Sequence, residues 1–516
     1  RLEAVGNLSG RRMSKQKQRV TKEDLGCAAK WLFAHPPNIL HHLQVPFMIW
    51  KGKTYASPCH LNATGIVQAS FMFGGDQGMG VSWTRMTADR SVVSVVLGAR
   101  DDFHRDYCLQ GVIEKSMEEL QHSEDGNGSE RSNVKEAVEW ITIQPADASL
   151  TRVNVMGDTY FGESYTRRRK RRGREDALMK YGYSHSFLAV RPFLNSGDFN
   201  IVNLEAVLTM EGKSPLQGIK GYILDANPIP TIEELQRCKV HAVTLGNNHL
   251  MDFGQEGLRE SLCLLDDANI HRFGAGLDAE EAEKPIFLRC GEVELIVFSG
   301  YWYRKRAYQR YDCYAMAQQP GVASLSGGMI DEIRALRDTY PQARLIGIPH
   351  WGIDFGEVQQ LQRQIASQWV NAGIDLIIGH GAHMMQAFEQ VNDRWVCYGI
   401  GNGIFNSDGE YRERGTSPYS FMTQLQIHAS GQIDLMLYPI FSDNLSTFWQ
   451  PHPVRTEQFA EVLAAQARMG SPIVKGSTEE DIFRVADGYQ GQIEIGEDPY
   501  GHYICIRNVV EAISQC

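Results

Sequence analysis

The sequence predicts an α/β protein with more than one domain. From about residue 150, short apolar strands alternate with amphipathic helices, and this alternation is typical of a mainly parallel sheet with helices on both faces. Hydrophobic residues make up 43% and charged residues 22% of the chain, as in ordinary globular proteins. The length of 516 residues exceeds what one core normally organises, so we expect two or three domains.

Composition excludes several functional classes. The net charge of −11 argues against a protein whose whole surface attracts nucleic acid or anionic lipid, and we expect no nucleic-acid partner. No apolar run reaches the roughly 18 residues of a membrane span. The ten cysteines form no CxxC pair, so they predict neither a zinc site nor a disulfide framework. The chain begins with Arg1 and shows no signal-peptide pattern there, so this end predicts no compartment.

Residues 1–125 are predicted to form a first, mixed α/β unit. Its helices are expected from Thr21, as the cap, to about Ala34, and near Tyr107–Leu120. Its strands are expected at Phe47–Trp50, Ile66–Phe73, Gly80–Met86 and Ser91–Leu97. Residues 126–149 are predicted as a linker, because they continue a polar, Gly- and Ser-rich stretch.

In the second unit, residues 150–440, five predicted strands each end in side chains that bind metals. They are Arg152–Met156 before Asp158, Phe199–Val202 before Glu205, Val240–Leu245 before Asn247, Asn248 and His249, Arg344–Pro349 before His350, and Ile374–Ile378 before His380 and His383. The carboxyl ends of parallel strands share one edge of a sheet. Carboxylates, imidazoles and amides at one edge therefore predict a divalent-metal site, although any one of these residues alone is better explained by a surface or capping role.

Helices and a C-terminal extension complete the predicted elements. The helices between the strands are expected at Ser184–Leu194, Thr231–Cys238, Gln255–Asp267, Gly328–Tyr340 and Gln359–Ala372. Residues 441–516 are predicted as a small helical and α+β extension without chemistry. It contains a helix at Val454–Ala467 capped by Thr456, and strands at Gln492–Ile495 and His502–Arg507.

The order of these motifs resembles that of a known family. The motifs are Gly157-Asp158, Asn203-Leu-Glu205, Asn247-Asn248-His249 with Asp252-Phe-Gly254, His350-Trp-Gly352, Gly379-His380 with His383, and Tyr398-Gly-Ile-Gly-Asn402. Over roughly residues 150–440 they resemble the CapA family of capsule and poly-γ-glutamate biosynthesis proteins. This family is related to the calcineurin-like metallophosphoesterases. The resemblance implies a four-layer α/β sandwich of two sheets flanked by helices.

The resemblance also implies roles for the residues at the strand ends. Asp158 resembles the ligand after the first strand, and Glu205 stands where metallophosphoesterases place a bridging Asp. Asn248 resembles a metal ligand, and His249 resembles the catalytic imidazole near the leaving group. His350, His380 and His383 resemble the late histidine ligands. Together they imply one or two divalent ions, either Mn, Zn or Fe.

Two acidic residues are expected to support the imidazoles. Asp252 and Asp354 follow His249 and His350 closely, so we expect them to hold imidazoles by hydrogen bonds.

Three departures weaken the resemblance. The family's Asp-x-His opening is absent, because Tyr160 stands in place of the histidine. In addition, Glu replaces Asp at position 205, and the last two histidines are separated by two residues rather than one. One of two metal positions is therefore in doubt.

A basic run interrupts this acidic chain shortly after Asp158. It consists of Arg167, Arg168, Arg169, Lys170, Arg171 and Arg172. One interpretation is a solvated loop. The other is a cationic arm beside the metal site that binds an anionic polymer.

The first unit faintly resembles the C-terminal half of a penicillin-binding D-alanyl-D-alanine carboxypeptidase domain. The similar pieces are Val20–Leu25, Pro36–Leu40 and Val92–Arg100. The family's Lys-Thr-Gly motif would fall near Ser70–Met72 and does not match, so the resemblance implies a truncated domain without catalytic residues.

Three functions remain open at this point. The first is a metal-dependent hydrolase that acts on a phosphoester or polymer bond in capsule biosynthesis. The second is a non-catalytic factor that binds or assembles an anionic polymer, and the third is a general metallophosphodiesterase. The resemblance implies other capsule-synthesis proteins as partners and the cell envelope as the location.

Overall fold

The computed structural model describes five strands between residues 47 and 99, residues 103 and 107, and residues 138–210, 212–476 and 482–511. The chain divides into two compact units, Arg1–Asn133 and Val134–Cys516. The assignment of domains within the chain stays a prediction.

The first unit contains two antiparallel sheets. The strands are β1 (Phe47–Trp50), β2 (Lys53–Ala56), β3 (Val67–Phe73), β4 (Gly78–Arg85) and β5 (Ser91–Ala99). Strands β1 and β2 form one pair, and β3, β4 and β5 form a sheet in that order. The four predicted strands are confirmed. The helix predicted from Thr21 and the polar stretch from Gln121 to Ser132 lie outside the described residues, as does the helix predicted from Tyr107 apart from Tyr107 itself. The carboxypeptidase resemblance stays a prediction.

The second unit contains two large mixed sheets. The strands of the larger sheet are β7 (Leu150–Tyr160), β8 (Phe199–Leu204), β11 (Ala242–Thr244), β12 (His271–Phe273), β21 (Asn402–Phe405), β22 (Tyr419–His428), β23 (Ile433–Phe441), β24 (His452–Pro453), β27 (Ile493–Asp498) and β28 (Gly501–Val510). The strands of the smaller sheet are β6 (Ile141–Ile143), β14 (Ile286–Cys290), β15 (Val293–Tyr301), β17 (Arg344–His350), β18 (Leu376–Ile378), β19 (Phe388–Val391) and β20 (Arg394–Cys397). Short pairs are formed by β9 (Val207–Leu208) with β10 (Asp225–Ala226), β13 (Ala275–Gly276) with β16 (Gly321–Val322), and β25 (Ile473–Lys475) with β26 (Phe483–Val485).

Each large sheet has a parallel half, where the site-bearing strands lie. The larger sheet runs β12-β11-β8-β7-β22-β23-β28-β27, and its first four strands are parallel. The smaller sheet runs β19-β20-β18-β17-β15-β14-β6, and β15, β17, β18 and β20 are parallel. The alternation of strands and helices suggested one parallel sheet, and that interpretation was wrong, because β7, β8 and β11 belong to one sheet and β17 and β18 to the other.

Helices connect the strands of the second unit. They are α1 (Glu163–Arg171), α2 (Ala177–Tyr181), a 3-10 helix (Tyr183–Phe187), α3 (Arg191–Ser196), α4 (Pro228–Arg237), α5 (Gly254–Asp267), α6 (Ala279–Glu283), α7 (Lys305–Tyr311), α8 (Gly327–Thr339), α9 (Gln360–Ala372), α10 (Tyr411–Arg414), α11 (Asn444–Thr447) and α12 (Thr456–Met469). Every helix predicted after residue 150 is present, although the one predicted at Ser184–Leu194 is divided between the 3-10 helix and α3. Of the described helices, none is long and apolar enough to cross a bilayer.

The core lies between the two sheets. Val155 and Ile201 of the larger sheet and Val297 and Ile346 of the smaller sheet are fully buried in one hydrophobic cluster. Such β-branched residues fit the pleated, buried faces of strands. The two sheets and their helices therefore form an α/β sandwich, in agreement with the predicted fold class.

The C-terminal segment extends the larger sheet. Strand β28 pairs with β23, and β27 pairs with β28. Both predicted strands are confirmed, and they are part of the sandwich rather than an appendage to it. Helix α12 begins at Thr456 itself, with Arg455 at the N-cap position. The predicted capping role of Thr456 was therefore wrong.

Candidate metal centre

Asp158, at the carboxyl end of β7, is the centre of the candidate site. It is fully buried, and its Oδ1 accepts a hydrogen bond from Asn203 Nδ2 at 2.9 Å. His380 Nδ1 lies 3.1 Å from the same oxygen. On the other side, Oδ2 accepts from the backbone N–H of Gly381 at 3.2 Å and lies 3.1 Å from His383 Nδ1. One carboxylate thus contacts polar groups that follow strands of both sheets.

Two groups of side chains can hold a metal ion, and Asp158 belongs to both. One group is Asp158, His350 and His380, and the other is Asp158, Glu205 and His383. Within each group the ligand atoms lie within 4.8 Å of one another. Two neighbouring groups that share one carboxylate fit a two-ion centre of the hydrolase type. Asp158 is therefore the shared residue, whereas Glu205, predicted for the bridging position, belongs to one group only.

Several polar atoms of the predicted ligands are buried and have no hydrogen-bond partner among the described residues. They are both carboxylate oxygens of Glu205, His380 Nε2 and Asn248 Oδ1. A buried polar atom without a partner costs about 1–3 kcal/mol. A divalent cation accepts lone pairs from carboxylate, imidazole and amide atoms. The donor set therefore fits the metal implied by the sequence.

Electrostatics divide the ligands into charged and neutral groups. Burial opposes ionisation of Asp158, but hydrogen bonds from His380 and His383 hold its pKa well below the ordinary value. Burial, and then the charge of Asp158, raise the pKa of Glu205 well above the ordinary value. Burial disfavours the charged form of His383, yet Glu205 and Asp158 raise its pKa well above normal. Without metal, the proton on His383 therefore supplies positive charge that a cation would replace.

The turn after β11 contains two adjacent asparagines whose side chains face different surroundings. Asn247 faces inward, where its Nδ2 donates to Asn203 Oδ1 at 3.0 Å and to the Leu204 carbonyl at 2.8 Å. Its Oδ1 accepts the backbone N–H of His249 at 3.0 Å. Asn247 therefore shapes the turn, and Asn248 and His249 line the cleft beside the metal ligands.

His249 is held by an acidic residue and a lysine. Its Nδ1 lies 2.6 Å from Asp252 Oδ2, as predicted for Asp252. Lys220 forms an ion pair with Asp252 and donates to the Asn248 carbonyl at 2.6 Å. Because burial and the charge of Lys220 lower the pKa of His249, this imidazole is neutral at pH 7. No sequence motif marks Lys220, which lies in a loop 28 residues before Asn248.

Asp354 was predicted to hold an imidazole by a hydrogen bond. Its side chain is exposed and lines the cleft, and no such hydrogen bond occurs among the described residues. The predicted hydrogen bond is thus not present among them, and a supporting role for Asp354 beside a bound metal stays a prediction. Asp354 acts on the site through its charge, which contributes to the raised pKa of His383. Asn402, not predicted as a site residue, approaches His383 Nδ1 with its Oδ1 at 2.9 Å.

The basic run is not a loop, because Arg167 to Arg171 form the C-terminal part of helix α1 and Arg172 is its C-cap. Arg167 forms an ion pair with Asp225. Arg169 is buried, and it pairs with Asp176 at 2.6 Å and Asp408 at 2.9 Å. Two of the six cations therefore stabilise the fold. Lys170, Arg171 and Arg172 are exposed, and Arg168 is half-buried.

Sequence comparisons agree with this geometry. Residues 152–407, which include every candidate metal ligand, match the family described as bacterial capsule synthesis protein PGA_cap. This part of the chain belongs to the CapA family. The capsule biosynthesis protein CapA of Bacillus anthracis is 24% identical over 45% of this chain and 56% of its own length. The PGA biosynthesis protein CapA of Bacillus subtilis is 25% identical over 45% of this chain and 60% of its own length.

A third relative comes from Mycobacterium tuberculosis. It is named a probable polyglutamine synthesis accessory protein, and it is 25% identical over 41% of this chain and 57% of its own length. The matched region thus spans less than two thirds of the length of each of these three curated relatives. The remainder of this chain is not covered by these matches.

Proposed function

We propose that this chain is a metal-dependent hydrolase of capsule biosynthesis that cleaves a phosphoester or a bond of the polymer. The proposal rests chiefly on the two ligand groups that share Asp158, together with the unpartnered buried atoms of Glu205 and His380. When bound, a divalent cation in such a site lowers the pKa of a coordinated water toward about 7. Mn, Zn and Fe are the proposed metals.

The chain's own residues supply proton transfer beside this centre. Asp252 is held as a carboxylate by Lys220 and can only accept, so His249 carries its proton on Nδ1. His249 Nε2 then presents a lone pair 3.8 Å from Glu205 Oε1. This nitrogen can take up a proton and release it to a leaving group. Asn248 is placed to bind the metal through its unpartnered Oδ1.

The link to capsule biosynthesis is supported by the family and by the surface near the site. The Bacillus relatives are named for capsule or PGA biosynthesis. The exposed cations Lys170, Arg171 and Arg172 of helix α1 are proposed to bind an anionic polymer, with Arg168 beside them. Other capsule-synthesis proteins are the proposed partners, at the cell envelope.

A second candidate is a metal-containing factor that binds polymer without cleaving it. Two observations favour it. Tyr160 replaces the histidine of the metallophosphoesterase opening motif, and Asp158 and Glu205 have no exposed surface. The described cleft approaches this centre from the side formed by Asn248, His249 and His383.

Turnover measurements separate the two candidates. The purified chain is assayed with added Mn²⁺ or Zn²⁺ on bis(p-nitrophenyl) phosphate, p-nitrophenyl phosphate and γ-glutamyl p-nitroanilide. A hydrolase gives metal-dependent turnover of at least one substrate, which Asp158→Asn abolishes and Glu163→Gln, a buried carboxyl outside the site, retains. Metal binding without turnover of any substrate supports the binding factor. Turnover that is equal in the Asp158→Asn variant contradicts the proposal.

A further inference from the structure

The cleft next to the candidate metal centre is lined by five tyrosine and phenylalanine rings together with polar and charged side chains. It has a volume of about 230 Å³, and Asn248, His249 and His383 connect it to the metal ligands. Its aromatic side chains are Tyr165, Tyr222, Tyr311, Phe355 and Phe405. Pockets for small molecules commonly combine aromatic walls with a few polar groups that fix orientation.

Two of the rings flank the ligand His383. The Phe405 ring centroid lies 4.7 Å and the Phe355 centroid 5.8 Å from the imidazole centroid. Phe355 has φ 57° and His383 has φ 58°, both in the left-handed region that side chains other than glycine rarely adopt. The Phe355 N–H donates to the Ala382 carbonyl at 2.8 Å and holds this conformation. Backbone strain of this kind is concentrated at ligand-binding positions.

The positive charges of Lys220 and Arg414 in the cleft lining are already paired within the protein. Lys220 pairs with Asp252 and lies 5.6 Å from the Tyr311 ring centroid. Arg414 pairs with Glu410 at 3.0 Å and lies 5.8 Å from the Phe355 ring centroid. The lysine and the arginine in the cleft lining each form an ion pair with a carboxylate and contact an aromatic ring. Such a cleft does not favour a chain that carries a negative charge on every unit.

We infer that this cleft is a subsite for a sugar ring that is attached to the group reacting at the metal centre. The inference rests on the proposed function and names its substrate class. Aromatic faces pack against the apolar face of a pyranose ring, and the carboxylates of Asp354 and Glu410 accept hydrogen bonds from its hydroxyl groups. An acyclic γ-glutamyl chain has neither the ring nor the hydroxyl groups. The exposed cations of helix α1 then bind the anionic remainder of the polymer outside the cleft.

Saturation-transfer NMR on the full chain tests this inference without relying on turnover. The probes are methyl α-D-glucopyranoside, glucose 1-phosphate, glycerol 1-phosphate and adenosine monophosphate, each measured with and without added Zn²⁺. Both glucosyl probes are expected to receive saturation at their ring protons. Glucose 1-phosphate is expected to bind roughly fivefold to tenfold more tightly than glycerol 1-phosphate, the scale of one aromatic contact.

Phe355→Gly is the decisive variant, because glycine accepts a φ of 57° and removes only the ring. It is expected to abolish the preference for glucose 1-phosphate without lowering the melting temperature. Tyr222→Ala, at a half-exposed ring of the cleft, is a second variant with the same expected direction. Tyr181→Ala removes an exposed ring outside the cleft and is expected to change nothing.

The outcomes distinguish this inference from the proposed function. Binding of methyl glucoside that Phe355→Gly removes, without turnover of any of the three chromogenic substrates, supports the sugar subsite and contradicts the hydrolase. Equal binding of glucose and glycerol phosphates, unaffected by Phe355→Gly, overturns the subsite and leaves the hydrolase standing. Tighter binding of adenosine monophosphate would assign the rings to a nucleobase and overturn the sugar assignment. Absence of saturation transfer to both glucosyl probes also overturns it.

Discussion

Replacing Asp158 by asparagine should affect the metal-free protein and its response to metal in different ways. In the metal-free protein, the fully buried Asp158 carboxylate lies 3.1 Å from the protonated His383, whose side chain is 12% exposed. Removing one partner of a buried ion pair typically costs about 3–5 kcal/mol, because the other charge stays behind. His383 can lose its proton and the introduced amide can keep some of the hydrogen bonds, so we expect the lower end, about 3 kcal/mol.

Metal should then stabilise the wild-type protein only. At a free metal concentration of about 100 times Kd, binding adds about 2.7 kcal/mol to the free energy of unfolding. In a unit of this size, 1 kcal/mol corresponds to roughly 2 °C in Tm. We therefore expect Asp158→Asn to lower Tm by about 6 °C without metal, and saturating Mn²⁺ or Zn²⁺ to raise the wild-type Tm by about 5 °C.

Differential scanning fluorimetry after chelation and metal titration measures both effects. Glu163→Gln is the matched control, since Glu163 is a buried carboxyl that contacts Tyr183 and the Asn227 N–H rather than the metal ligands. This control should keep the full metal-dependent rise in Tm. A rise of the same size in Asp158→Asn would refute the assignment of Asp158 as the shared ligand.

Three further predictions concern stability and polymer binding. Burial raises the pKa of Glu163 from 4.5 to about 7. Folded Glu163 therefore keeps its proton up to a higher pH than it does in the unfolded chain. The free energy of unfolding should fall as pH rises from about 4.5 to 7. Glu163→Gln should remove this fall and be more stable than wild type by up to about 3 kcal/mol at pH 8, measured by urea unfolding; equal pH profiles would contradict the prediction. Arg169→Met should cost about 3 kcal/mol because it leaves Asp176 buried and unpaired, whereas the double change Arg171→Ser and Arg172→Ser should stay within about 0.5 kcal/mol. The double change should weaken binding of poly-γ-glutamate at low salt more than at high salt, and binding indifferent to both would show that these cations do not contact the polymer.

The predicted elements agree with the structure where the signal is local. The helix predicted at Gln255–Asp267 spans Gly254–Asp267, and the one predicted at Gln359–Ala372 spans Gln360–Ala372. Hydrophobic periodicity and a following polar or glycine residue set these limits, and both can be read from neighbouring residues. The residues at the strand ends could likewise be predicted, because each follows directly after an apolar run.

The partition of strands between two sheets could not be predicted from the alternation pattern. Strand β17 pairs with β15, and β7 pairs with β8. Each choice depends on contacts between distant parts of the chain, and a buried parallel strand carries the same apolar sequence in either sheet. The resemblance to the family supplied the sandwich that the pattern did not.

Residues that support the site from other segments were missed for the same reason. Lys220 lies in a loop whose sequence has no recognisable motif, and Asn203 was noted only as the neighbour of Leu204 and Glu205. The basic run led to the opposite error. A cluster of cations predicts exposure, yet Arg169 is buried because Asp176 and Asp408 neutralise it. Composition alone cannot identify such pairs.

Metal analysis of the purified chain tests the central claim most directly. After equilibrium dialysis against Mn²⁺ or Zn²⁺, the bound metal per chain is measured by elemental analysis for the wild type, Asp158→Asn and Glu163→Gln. A centre built on the two groups that share Asp158 predicts one or two ions per chain in the wild type and in Glu163→Gln, and loss of the bound metal in Asp158→Asn. A wild-type chain that retains no metal, or an Asp158→Asn variant that retains as much as the wild type, would contradict the metal centre.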